Sequence, residues 1–188
     1  MHFGQRFGFS LIELSIILVI VGGIAAMTLT LGLKWVDKEE VEASKLNLLT
    51  IATALDTYAR INLRLPCPAD PSITDPADPN YGIEAANMGN CTGGATQAEG
   101  VGGTTVRGPV PAATLGIGKN LMIDVHGNFA DYYVDSRMTE DNAIKTYNYD
   151  NTAIGDITVQ DASGGVRTAQ AVYALGSFGS NARGARTR

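Results

Sequence analysis

The chain has 188 residues and a formal net charge of −5 at pH 7, with 45% hydrophobic residues and a mean hydropathy of +0.04. That length suits one globular domain plus an extended element. The acidic balance argues against a nucleic-acid partner, whose phosphates call for clustered Lys and Arg, and two cysteines with two histidines argue against a transition-metal cluster.

The first eight residues end in Arg6-Phe7-Gly8. From Phe9 to Leu33 there is then no Lys, Arg, Asp, His or Pro, and Glu13 is the one charge. As a helix this run reaches about 37 Å, against a hydrocarbon core of about 30 Å, so the sequence predicts a transmembrane helix over 9–33. It is too long for the apolar region of an ordinary secretory signal. An acidic group at the centre of a spanning helix costs about 2.5–3.5 kcal/mol, and less near an end. Glu13, one turn from Phe9, either reaches back toward the headgroups or awaits a cationic mate. A cut after Gly8 creates such a mate in the new amino group of Phe9, and a neighbouring copy can supply it.

Gly8-Phe9-Ser10-Leu11-Ile12-Glu13-Leu14, followed by Gly22 and Ala25-Ala26, resembles the class III leader and N-terminal helix of type IV pilins and pseudopilins. The resemblance implies that residues 1–8 are a leader removed by prepilin peptidase between Gly8 and Phe9. It also implies N-methylation of Phe9 and an assembly role for Glu13. The expected partners are prepilin peptidase, other pilin or pseudopilin subunits and the inner membrane, with no nucleic acid. The expected place is a bacterial inner membrane with a periplasmic globular domain, or an extracellular filament for a true pilin. One departure is Thr30, where many major pilins carry proline. Here Gly22, Gly23 and Gly32 are the weak points of the helix, each costing about 1 kcal/mol relative to Ala.

Residues 34–62 continue the helix in amphipathic form. Val41, Leu48, Ile51, Leu55 and Tyr58 recur at spacings near three and four, with Asp37, Glu39, Glu40, Glu42, Lys45, Asn47 and Asp56 opposite. The stripe reads as core packing, and Leu65-Pro66 ends the run by pushing the residue before proline out of the helical region.

Residues 63–108 read as a Pro/Gly-rich loop. Cys67 and Cys91 lie within it at a spacing that fits no CxxC metal or redox pattern. In an exported domain they are expected to form a disulfide, with two free thiols as the alternative. Asp70, Asp75 and Asp78 offer oxygen ligands for calcium but lack the alternating order of a dedicated calcium loop. Asx-turns beside proline explain the same residues, and both readings stay open.

Residues 109–188 predict a small antiparallel sheet with strands at Leu121–Val125, Asn128–Val134, Ile154–Gln160 and Ala169–Leu175. The separators are His126-Gly127, the stretch around Met138–Asn142, and Asp161–Gly165. Tyr133, Ile157, Val159, Val172, Tyr173 and Leu175 are its expected core contributions. The expected fold is α+β and pilin-like, a long N-terminal helix with a membrane half and an amphipathic half packed on that sheet. Leu65–Asp70, Val110-Pro111 with Leu115-Gly116, Asp124 with Gly127 and Tyr133, and Ser177 to Gly184 resemble a subgroup of bacterial prepilin-like proteins.

Catalysis finds little support. His126 sits in a turn context, no Gly-x-Ser-x-Gly elbow is present, and Gly118-Lys119-Asn120 breaks the phosphate-loop pattern. The expectation is a non-enzymatic structural subunit of a pilus or secretion pseudopilus. The alternative is a membrane-anchored periplasmic enzyme or binding protein with an uncleaved signal anchor, which requires an intact N-terminus.

Overall fold

The computed structural model describes residues 10–87, 90–92, 96–97, 105–148 and 155–178, with side chains described outside 25–38, 87, 96–97 and 147–148. The chain divides into two compact units, Met1–Glu42 and Ala43–Arg188. Helix α1 is assigned from Leu11 to Asn62. Gly8 and Phe9, the expected cleavage and methylation positions, lie outside the described residues.

In the first unit, the backbone carbonyl of Ser10 receives the amides of Glu13 and Leu14, which starts α1. The transmembrane expectation is corrected here. Among the described residues no helix is long and apolar enough to cross a membrane. The fold with a membrane half, and the inner-membrane placement with a periplasmic domain, therefore do not stand.

The second unit is α+β. The α1 stretch within it ends at Asn62, where Leu63 turns to φ 57° and its amide donates to Ala59 O at 2.9 Å. Short strands β1 (Ala86–Asn87) and β2 (Asn90–Cys91) pair as one ribbon. Strands β3 (Thr96–Gln97), β4 (Thr105–Pro109), β5 (Asp131–Asp135) and β8 (Tyr173–Gly176) form a sheet in the order β3-β4-β5-β8. Strands β6 (Ile157–Gln160) and β7 (Val166–Ala171) form a third, two-stranded piece, and every pairing is antiparallel. A six-residue helix α2 (Ala143–Asn148) precedes β6. Among the described residues the one expected sheet is thus three.

Each departure has a local cause. β4 falls where loop was expected, because Arg107-Gly108-Pro109 looks like turn chemistry. Gly108 is needed in it: a Cβ there would meet Pro68 Cβ at 2.6 Å and Ala69 O at 3.0 Å, since the chain crosses over β4 at that point. The expected hairpin around His126-Gly127 shrinks to a single bridge, Ile123–Phe129. Asp124 Oδ1 takes the amides of both His126 and Asn128, diverting donors from a ladder. The expected strand Ala169–Leu175 breaks at Val172, whose carbonyl accepts the Asp135 amide at 3.0 Å as the chain passes from the β6 partner to the β5 partner.

The core joins Ile51 and Leu55 of α1 to Leu65, Val106, Val110, Ala130, Tyr132, Val134 and Met138. Of the expected helical stripe, Ile51 and Leu55 are buried, while Val41 is exposed. Parity in β5 also differs from expectation. Tyr132 and Val134 are buried and Tyr133 is only half-buried, so the inward face is the even one. The Tyr132 hydroxyl donates to Pro66 O at 3.0 Å, which satisfies it inside the core.

Candidate functional site

Glu13 sits in the first turn of α1, where a carboxylate complements the partial positive charge of the helix start. Around it, Leu11, Ile12, Leu14, Ile16, Ile17, Leu18, Val19, Ile20, Val21 and Ile24 are all exposed. Successive positions point about 100° apart, so this exposure covers the whole circumference rather than one stripe. Ser15 donates its hydroxyl to Ile12 O at 2.8 Å and adds little polarity to the outside. An apolar surface of this extent with one carboxylate is suited to burial against other helices.

The second unit holds the remaining expected site residues. Cys67 and Cys91 form a disulfide with a Cα–Cα distance of 5.3 Å and a sequence separation of 24. It ties the segment after α1 to β2. By the chain-entropy account a bracket of this size stabilises by about 3 kcal/mol. Replacing both cysteines by alanine is expected to lower the unfolding free energy by about 2–4 kcal/mol, read as a lower urea midpoint. An unchanged midpoint would show that the bracket adds nothing to stability.

Asp70, Asp75 and Asp78 do not converge. Each carboxylate instead closes its own turn, Asp70 on the Ser72 amide and hydroxyl, Asp75 on the Ala77 amide, and Asp78 on the Asn80 amide. Among the described residues no group of three His, Cys, Asp or Glu is placed to hold a metal ion. Asx-turns account for these aspartates.

A polar centre absent from the sequence reading lies beside the disulfide. Arg64 Nη2 and Nη1 donate to Glu84 Oε1 and Oε2 at 2.7 and 2.9 Å, a forked pair with side chains 14% and 15% exposed. The Cys67 amide donates to Glu84 Oε2 at 3.0 Å, and the Tyr58 hydroxyl to Glu84 Oε1 at 3.2 Å. The Arg64 guanidinium also lies 5.5 Å from the Tyr58 ring centroid. Burial by itself would raise the Glu84 carboxyl, but Arg64 and the Cys67 amide outweigh it and hold the group below its ordinary value. Burial, and then the charge of Glu84, push the Tyr58 phenol up to about 12. This arrangement clamps the end of α1 to the disulfide-closed loop. The only sequence signal for it was an isolated Arg64 beside Leu65-Pro66, and the pairing partner lies 20 residues away.

Two buried carboxylates bracket β5. Asp131 is fully buried and paired with Arg107, whose guanidinium lies 5.4 Å from the Tyr133 ring centroid and 5.5 Å from that of Phe178. Asp135 is fully buried and paired with Arg137 at 2.5 Å, and Arg137 also reaches Asp156 at 2.8 Å. Hydrogen bonding by Asp135 raises the Arg137 guanidinium further above its ordinary range. The Asp124 turn is tied to the end of β8 by the Ser177 hydroxyl, which donates to Asp124 Oδ2 at 3.0 Å. These contacts give the motif residues Asp124, Gly127 and Ser177 architectural work, with Gly127 at φ 83° closing the turn. No family model, curated protein or solved structure matches the chain.

Proposed function

We propose that the chain is a structural subunit of the type IV pilin or pseudopilin kind, cut after Gly8 by prepilin peptidase and assembled through its N-terminal helix into a filament with copies or relatives. The observation that carries this reading is the exposed apolar circumference of Leu11–Ile24 with Glu13 as its one charge. A helix apolar on every side calls for burial, and surrounding helices supply it. A lone carboxylate among those side chains is tolerated when a cation meets it, and the freed amino group of Phe9 on a neighbouring subunit is such a cation. The Gly8-Phe9 and Glu13 spacing supports the same reading.

The test is mass spectrometry of the N-terminal peptide in sheared filaments and in cell-associated material. A peptide beginning with N-methyl-Phe9 in the sheared fraction is the expected result for a pilus subunit, and the same peptide confined to cells fits a pseudopilus or low-copy subunit. An uncut Met1 terminus in both fractions overturns the proposal.

A further inference from the structure

Three of the chain's seven prolines follow an aspartate, at Asp70-Pro71, Asp75-Pro76 and Asp78-Pro79, all inside the loop closed by Cys67 and Cys91. An Asp–Pro bond is the ordinary peptide bond most easily opened in acid. The aspartate side chain reaches its own backbone carbonyl carbon through a five-membered ring, so the nucleophile is already in place. The proline nitrogen, once protonated, leaves readily. The three bonds differ in setting. Asp70 and Pro71 are half-buried, and Asp70 Oδ1 takes both the amide and the hydroxyl of Ser72, at 2.8 and 2.7 Å. Asp78 is half-buried as well. Asp75 and Pro76 are both exposed, and Asp75 Oδ1 takes a single amide, that of Ala77 at 2.9 Å. The Asp75 carbonyl oxygen accepts the Asp78 amide at 3.0 Å, so a donor already faces the oxygen that turns negative on attack. Beyond the bond, Lys119 Nζ donates to Pro76 O at 3.3 Å and lies 5.6 Å from the ring centroid of the buried Tyr81, which anchors the proline side.

We propose that Asp75–Pro76 is a site of acid-triggered self-cleavage in the folded chain, and that the Cys67–Cys91 bond holds the two pieces together afterwards. The Asp75 carboxylate attacks through Oδ2 and bonds to its own carbonyl carbon. The C–N bond to Pro76 breaks, and the proline nitrogen leaves with a proton taken from the acid medium. Water then opens the cyclic anhydride on Asp75 to two carboxyls, so the net change is hydrolysis of one peptide bond. The piece ending at Asp75 carries α1 and Cys67, and the piece beginning at Pro76 carries every strand and Cys91. After the cut their one covalent link is the disulfide. The packing of Ile51 and Leu55 and the Arg64–Glu84 pair also cross the cut, so the nicked chain keeps its fold. Parting the helix from the strands therefore takes two signals in order, acid to open the loop and a thiol to open the bridge.

The experiment holds the purified full chain in citrate buffers of falling pH, within the range that keeps its native far-ultraviolet circular dichroism. The expected product has gained the mass of one water, runs as a single band on a denaturing gel without thiol and as two bands with it, and shows Pro76 as a new N-terminus by mass spectrometry. Asp75→Glu keeps the charge but enlarges the ring that the attack must close, and is expected to lose the cut while keeping the fold. Survival of the cut in Asp75→Glu assigns it to the solvent or a protease and overturns the inference. So does equal cutting at the three Asp–Pro bonds, an uncut chain throughout the folded range, or pieces that separate without thiol.

Discussion

Cells producing Glu13→Leu as their sole copy are expected to accumulate the subunit, cut after Gly8, and to yield no filaments. The substitution lengthens the apolar surface of α1, so a purely hydrophobic assembly would be strengthened by it. A charge-paired assembly is weakened, because the Phe9 amine of each neighbour is left buried without its carboxylate. Close desolvated pairs couple by about 1.5 kcal/mol or more, which is roughly a tenfold loss per contact, and a filament multiplies that loss along its length. Glu13→Asp keeps the charge but shortens the reach and should give an intermediate yield. The readout is filament protein in the sheared fraction against total subunit. Wild-type yield from Glu13→Leu would remove the carboxylate from the assembly account altogether.

Glu84→Ala is expected to be the most damaging single substitution in the second unit, lowering its unfolding free energy by about 3–5 kcal/mol. The loss leaves the largely buried Arg64 with only the exposed Asp141 carboxylate, 3.8 Å away, and strips the Cys67 amide and the Tyr58 hydroxyl of their acceptor. Replacing both charges together, Arg64→Met with Glu84→Leu, should recover part of the difference, since it removes the poorly compensated cation but not the loss of the acceptor for Cys67 and Tyr58. The pH profile carries the same signature. The folded Glu84 carboxyl lies below its ordinary value of about 4.3. Its contribution is therefore fully present above that unfolded value and fades as pH falls through the folded one. Glu84→Gln should flatten that acid limb in urea titrations taken at successive pH values. A limb unchanged by Glu84→Gln would remove Glu84 from the account of acid sensitivity.

What could be read from the chain alone was whatever neighbours in sequence decide. The break near Leu65-Pro66, the Asp161–Gly165 turn and the Asx-turns at Asp70, Asp75 and Asp78 are all set within a few residues, and each is found where those residues lie. The disulfide was inferable from compartment and count. What escaped was decided across long separations. β4 hides in Arg107-Gly108-Pro109 because its strand character comes from five paired positions on β5, about 25 residues on. The inward face of β5 cannot be chosen from Tyr132-Tyr133-Val134, in which all three side chains are apolar enough to be core. The Arg64–Glu84 pair joins a helix end to a loop. The membrane reading rested on hydropathy counted along residues 9–33, whereas among the described residues no helix is long and apolar enough to cross a membrane.

The two carboxylates at the ends of β5 have an effect that reaches beyond their own ion pairs. Asp131, Tyr133 and Asp135 share one face of the strand, and Tyr132 and Val134 share the other. Sliding β5 by a single residue against β4 and β8 would exchange those faces. Both acids would then turn toward the cluster now filled by Tyr132 and Val134, and Asp131 would leave Arg107, which stays on β4. An aliphatic strand of the same length would tolerate that slip at little cost. Here the misaligned form carries two carboxylates toward an oily interior, one of them parted from its arginine, so the acids weigh against a slipped alignment.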